Sequence, residues 1–195
     1  MFMKRMILVL IAAGSAMFAS AQIRLGVKAG YNLTNLMISP SQPGLSSKSD
    51  FSAGVLASIP LLASCSLQPE IMYSGQGTNF SDSFATGKLN YGYLNIPVLF
   101  KYQHSSGLFV ETGPQVGFLL SAKETAGDQT ADTKSNTQST DFSWAFGIGF
   151  KLPLGLGIDA RYNLGLTNVA KGDAGSVGTA KNGVFQFGVY FMFPK

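Results

Sequence analysis

Hydrophobicity alternates residue by residue through most of this chain, and a period of two admits strands but not amphipathic helices. Four segments carry the pattern most cleanly. In the first, Ile23, Leu25, Val27, Ala29 and Tyr31 share one face, against Arg24, Gly26, Lys28, Gly30 and Asn32. In the sixth, Phe142, Trp144, Phe146, Ile148, Phe150 and Leu152 oppose Ser143, Ala145, Gly147, Gly149 and Lys151. The seventh sets Ile158, Ala160, Tyr162, Leu164 and Leu166 against Asp159, Arg161, Asn163, Gly165 and Thr167. The last puts Phe185, Phe187, Val189, Phe191 and Phe193 opposite Gln186, Gly188 and Tyr190.

Four further segments complete a set of eight. Phe51–Ile59 and Leu108–Lys123 follow the same rule with smaller residues. Leu67–Ser74 and Leu89–Tyr102 are noisier, and Pro69 and Pro97 weaken them as ladder strands. The connections alternate in length. Long polar links are expected over Thr34–Ser49, Gly75–Lys88, Glu124–Thr140 and Val169–Asn182, and tight turns near Pro60–Ser66, Gln103–Gly107 and Pro153–Gly155. This is the wiring of an all-β, eight-stranded antiparallel up-and-down transmembrane β-barrel, with both termini on the short-turn side. Each segment is near the roughly 9–11 residues that a tilted membrane-spanning strand needs.

A soluble barrel also alternates, so the chemistry of the two faces decides which one is the inside. A lipocalin-like ligand carrier would turn its polar face to water and populate it with Lys and Glu. Here that face is mostly Gly, Ser, Asn and Gln, which suits the crowded interior of a narrow barrel. The other face is large and aromatic, as a lipid-facing band should be. The polar face still carries Arg24, Lys28, Glu70, Glu111, Lys151, Asp159 and Arg161, all expected to point into the lumen. Charges of both signs are tolerable there when paired and hydrogen-bonded. An eight-stranded barrel is only wide enough for side chains to fill. The expected lumen is therefore a structural polar plug, with a narrow pore for small polar solutes as the alternative.

The N-terminus reads as a secretory signal over residues 1–21. Lys4 and Arg5 form a basic start, Met6–Ala13 an apolar stretch, and Ala19-Ser20-Ala21 a small-residue cleavage site before Gln22. The apolar run is shorter than the roughly 20 residues of a spanning helix. Export then leaves a barrel as the route into a membrane. The remaining 174 of the 195 residues, 22–195, make one domain. Only 12% of the chain is charged, against roughly 25% in soluble domains. Of the net charge of +4, Lys4 and Arg5 supply two, and the scattered remainder suggests no nucleic-acid partner. Cys65 is the single cysteine, so no internal disulfide can form.

Tyr31, Tyr73, Tyr91, Tyr93, Tyr102, Trp144 and Tyr162 fall near segment ends, where interfacial aromatic girdles are expected. Phe191-Met192-Phe193 resembles the aromatic last strand through which outer-membrane barrels meet the barrel assembly machinery, although Pro194-Lys195 follows it. Five further stretches carry a wider likeness. They are Arg24–Asn32, Leu67–Ser74, Tyr93–Tyr102, Gly113–Gly117 and Asp159–Asn168. With them the chain resembles the PorT-like outer-membrane β-barrel family over nearly its whole mature length. The resemblance implies the cell outer membrane, periplasmic termini, long loops outside and outer-membrane lipid as a partner. It implies no particular task, because fold-level likeness licenses location and not role.

Catalysis finds little support. His104, Ser105 and Ser106 with Glu111 further on offer the residue types of a hydrolase, and the His-x-Ser pairing is similar to that of an outer-membrane lipid A deacylase. A nucleophile, base and orienting acid must converge, however, and Gln103–Gly107 is expected to be a tight turn without a pocket. One His, one Cys and no clustered spacing argue against a metal, and no cofactor motif is present. Asp128, Asp132 and Asp141 do not match a calcium loop. The long links are the remaining candidates for contact with an extracellular or envelope partner. The expected function is structural or interactive and non-enzymatic: membrane integrity, adhesion or an accessory part in envelope assembly.

Overall fold

A computed structural model describes residues 23–39, 44–81, 86–127, 129–169 and 179–194. The expected signal peptide lies outside these residues. Eight long strands are β1 (Arg24–Ser39), β2 (Lys48–Leu62), β3 (Cys65–Ser81), β4 (Thr86–Gln103), β5 (Leu108–Ala126), β6 (Thr140–Lys151), β7 (Leu156–Gly165) and β8 (Thr179–Met192). Two short segments, Leu45–Ser46 and Gln129–Asp132, add to the rims of β3 and β5. Each long strand pairs antiparallel with the next, and β8 returns to β1 from Gly26↔Met192 to Ser39↔Thr179. The sheet closes into a barrel, which removes the open edges that a single sheet would present.

The alternating faces become outside and inside. Leu25, Val27, Phe51, Val55, Phe146, Ile148, Phe187 and Val189 stand exposed on the outer wall, while Lys28, Asn32, Ser52, Glu70 and Gln186 are buried in the lumen. Such a molecule puts apolar surface outward in every direction, the reverse of a water-soluble domain. Among the described residues no helix is long and apolar enough to cross a membrane, which says nothing about strands.

The strands run further than expected. Gly75–Lys88 was expected as a long link, yet β3 continues to Ser81 and β4 begins at Thr86, leaving residues 82–85 between them. Likewise β1 extends to Ser39 and β5 to Ala126. Along upper β3, from Gly75 to Asn79, both faces are polar or small, so the hydrophobic alternation fades while backbone pairing continues. Gly77↔Asn90 and Phe80↔Gly87 are still in register. Thr78, buried there, hydrogen-bonds to the Ser46 carbonyl.

Pro69 and Pro97 sit inside continuous strands, but the ladders break beside them. The β3–β4 pairing skips from Pro69↔Val98 to Met72↔Asn95, and β4–β5 from Pro97↔Gln115 to Phe100↔Thr112, with the register unchanged across each gap. Missing N–H donors thus cost local bonds and not the strand. A bulge between Gly92↔Ser121 and Tyr93↔Leu119 leaves Leu120 unopposed and reverses the facing of β5 above it. Leu119 and Ala122 consequently both point inward.

The girdle expectation needs correction at two positions. Tyr31, Tyr73, Tyr102 and Trp144 are on the outer surface, and Tyr162 packs outside against Phe185 at 4.5 Å. Tyr91 and Tyr93 are instead buried in the lumen with Leu36, Leu119, Ala122 and Val169, where they form an apolar cap toward the long-link end. The β4–β5 bulge and the high strand extensions create this second, internal apolar zone.

Candidate functional site

The middle of the lumen holds an ionic network built from five strands. Arg161 of β7 donates through Nη1 and Nη2 to the two carboxylate oxygens of Glu70 on β3, at 2.9 and 2.8 Å. This is the fork geometry in which guanidinium meets carboxylate most favourably. The same guanidinium donates from Nε and Nη2 to Glu111 Oε1 on β5, at 3.0 and 2.6 Å. Lys28 of β1 pairs with Asp159 of β7 at 2.7 Å. Lys101 of β4 donates to Gln68 Oε1 at 3.2 Å, and Gln68 Nε2 donates to Glu70. The Lys101 ammonium also stands 3.4 Å from the Phe109 ring centroid and 4.8 Å from that of Tyr190.

Two cations, Lys28 and Arg161, thus meet three carboxylates, Glu70, Glu111 and Asp159, and Lys101 joins them through Gln68. The side chains in the ion pairs of Lys28, Glu70, Glu111, Asp159 and Arg161 are 0–1% exposed. Burying charge this deeply is tolerable because each member has an opposite charge or several donors at hydrogen-bond distance. Glycines make the room. A Cβ on Gly147 would lie 2.9 Å from Glu111 Cγ, and one on Gly188 would lie 2.7 Å from Lys28 Cε.

Around this core the polar groups continue to satisfy one another. Gln186 joins Asn32 and Ser52, Asn32 reaches Ser74 and the Gly75 carbonyl, and Gln115 donates to Ser143. Higher up, Lys48 pairs with Asp50. Asp141 accepts from Thr167 at 2.6 Å and Asn182 at 3.2 Å, tying β6 to β8. Toward the short turns, Leu56, Phe109, Tyr190 and Met192 form a second apolar cluster. The lumen is therefore filled along its axis: apolar cap, hydrogen-bonded amides, ionic network, apolar cluster.

Of the seven charged residues expected in the lumen, Lys28, Glu70, Glu111, Asp159 and Arg161 come together in the network. Arg24 and Lys151 do not; both are half-buried and line a cavity at the short-turn mouth. Lys101 was missed. Its signal was the outward alternation of Val98, Phe100 and Tyr102, obscured by the apolar neighbours Pro97 and Leu99 that share its inward face.

The hydrolase residues do not converge. His104 and Ser106 are exposed in the β4–β5 turn, with Nδ1 3.0 Å from the Ser106 hydroxyl. Glu111, the acid that would orient the base, is locked onto Arg161 inside the barrel. Among the described residues no three His, Cys, Asp or Glu side chains gather as a metal site.

Comparison with known proteins adds to this geometry. The family model of the outer membrane protein beta-barrel domain matches residues 15–171. No curated protein sequence matches the chain. Among solved structures, Neisserial surface protein A is similar at 16% identity and a TM-score of 0.58, covering 87% of this chain and 97% of that one. Ail, the attachment invasion locus protein of Yersinia pestis, is similar at 15% identity and a TM-score of 0.51, over 87% and 98% of the two chains. At such identities the likeness is one of fold.

Proposed function

We propose a role from one premise: the chain belongs to the outer membrane protein beta-barrel domain family, and its place is the bacterial outer membrane. In this reading it is a non-conducting, non-enzymatic barrel with a structural lumen and a working surface at the long-link end. The termini and short turns face the periplasm, and the extended strands and long links face outward, where they meet an envelope or extracellular partner. Lipid covers the belt, and the barrel assembly machinery engages the final strand. Within the family, the resemblance of the five stretches quoted above supports a kinship with the PorT-like barrels. The task is membrane integrity, adhesion or an accessory part in envelope assembly.

One observation carries this reading: the charged side chains at the middle of the lumen are 0–1% exposed. A water-filled channel of the kind that porins hold would wet them. The charge balance of the network points the same way, since moving any member to open a path strands its partner in a low-dielectric interior.

Planar-bilayer recording of the purified, refolded protein tests the proposal. The expected record is flat, with no unitary steps above the detergent baseline. Reproducible ohmic steps would replace the structural reading with the narrow pore. A gel of outer-membrane protein, unheated and boiled, checks the barrel itself, and the folded form should migrate faster before boiling.

A further inference from the structure

Below the ionic network, the lumen opens at the short-turn end into a cavity of about 230 Å³. Its lining includes three cationic residues, Arg24, Lys101 and Lys151, together with Ser58, Ser66 and Cys65. No carboxylate lines it. Among the described residues, the ion pairs belong to Lys28, Lys48 and Arg161, and none of the three mouth cations has a carboxylate within 4.0 Å.

The charge count sharpens this. From the network to the mouth stand five cations (Arg24, Lys28, Lys101, Lys151 and Arg161) against three carboxylates (Glu70, Glu111 and Asp159), an excess of two. Lys101 is buried, held by two aromatic faces and one amide oxygen, none of which carries a charge. A concave wall of one sign in a low-dielectric body focuses its field into the cavity and concentrates the opposite ion there. The cavity is smaller than the roughly 300 Å³ at which sites for drug-sized ligands begin. It suits one compact anionic group.

We propose that this mouth is a binding site for a phosphate-type oxyanion, held by Arg24, Lys101 and Lys151 with hydroxyl donors from Ser58 and Ser66. Free phosphate and a lipid phosphate headgroup share this chemistry. The site does not depend on the role argued above, since it rests on the cavity and its charges alone.

Cys65, the only thiol in the chain, is a built-in reporter on the cavity wall. The experiment measures its modification rate by an anionic sulfonatoethyl and a cationic trimethylammonioethyl methanethiosulfonate, in maltoside micelles free of phosphate. Relative to a free small thiol, the anionic reagent should be favoured at least about tenfold. Inorganic phosphate should slow labelling saturably. Lys151→Gln and Arg24→Gln should each cut the anionic preference several-fold, with folding checked by the heat-dependent gel shift so that a misfolded variant is replaced by the other. Phosphatidylglycerol nanodiscs, compared with nanodiscs of a neutral glycolipid, distinguish the sources. Protection without added phosphate identifies a lipid headgroup, and protection only on adding inorganic phosphate identifies the free ion. A preference equal to that of the free thiol, or no protection in either setting, overturns the site.

Discussion

Arg161 and Glu111 are bonded across a residue that has no side chain. Glu111, Gly147 and Arg161 occupy one cross-strand row on β5, β6 and β7, and the guanidinium crosses the gap above Gly147. A methyl at 147 would sit 3.0 Å from Glu111 Oε1. Gly147→Val should therefore cost about 1–3 kcal/mol by overpacking, read as a lower urea midpoint in lipid vesicles. An unchanged midpoint would mean that the network tolerates a filled gap.

Removing the shared cation is the harsher change. Arg161→Met leaves Glu70 and Glu111 buried without their principal partner, and breaking such a pair typically costs about 3–5 kcal/mol. The triple change Arg161→Met, Glu70→Gln, Glu111→Gln removes the stranded charges and should recover part of that loss. Urea unfolding of all three proteins checks the ordering. Equal stability of the single and triple variants would show that charge balance does not govern the lumen.

The outer wall has a height that substitutions can map. Phe146, exposed at the middle of the apolar run of β6, should lose about 2–4 kcal/mol on replacement by Arg, the cost of a cation near a bilayer midplane. Asn35 is also outward-facing, but it stands on the upper part of β1. Asn35→Arg should change stability by less than about 0.5 kcal/mol. Similar penalties at the two sites would move the lipid boundary above Asn35.

His104→Ala should leave the lipid A mass spectrum of an expressing strain unchanged, because the turn imidazole hydrogen-bonds only to Ser106 and its would-be acid is engaged elsewhere. An altered acylation pattern dependent on His104 would refute the non-enzymatic reading.

Which parts of this were legible in the sequence follows from what each face of a strand meets. Where lipid is outside and polar groups are inside, as from Arg24 to Asn32 or Phe142 to Lys151, alternation assigns every residue correctly. It fails above the belt, where Thr78, Asn79 and Phe80 remain in a ladder that composition alone reads as a loop. It also fails inside, where apolar clusters lie above and below the ionic network. Ala122 faces inward with Leu119, three positions away, because of a bulge that no periodicity reveals. The identity of the lumen charges was mostly readable. Their pairing was not, since Glu70 and Arg161 are ninety-one positions apart and meet only once the barrel closes.

The unequal strands have a consequence of their own. β3, β4 and β5 run 17, 18 and 19 residues, while β6 and β7 run 12 and 10. At about 3.3 Å per residue, one flank continues as a standing sheet well past the point where the opposite flank stops. Viewed by a neighbour diffusing in the same leaflet, the molecule therefore has a front and a back. Anything that docks against the raised flank is fixed in its compass bearing around the barrel as well as in its depth.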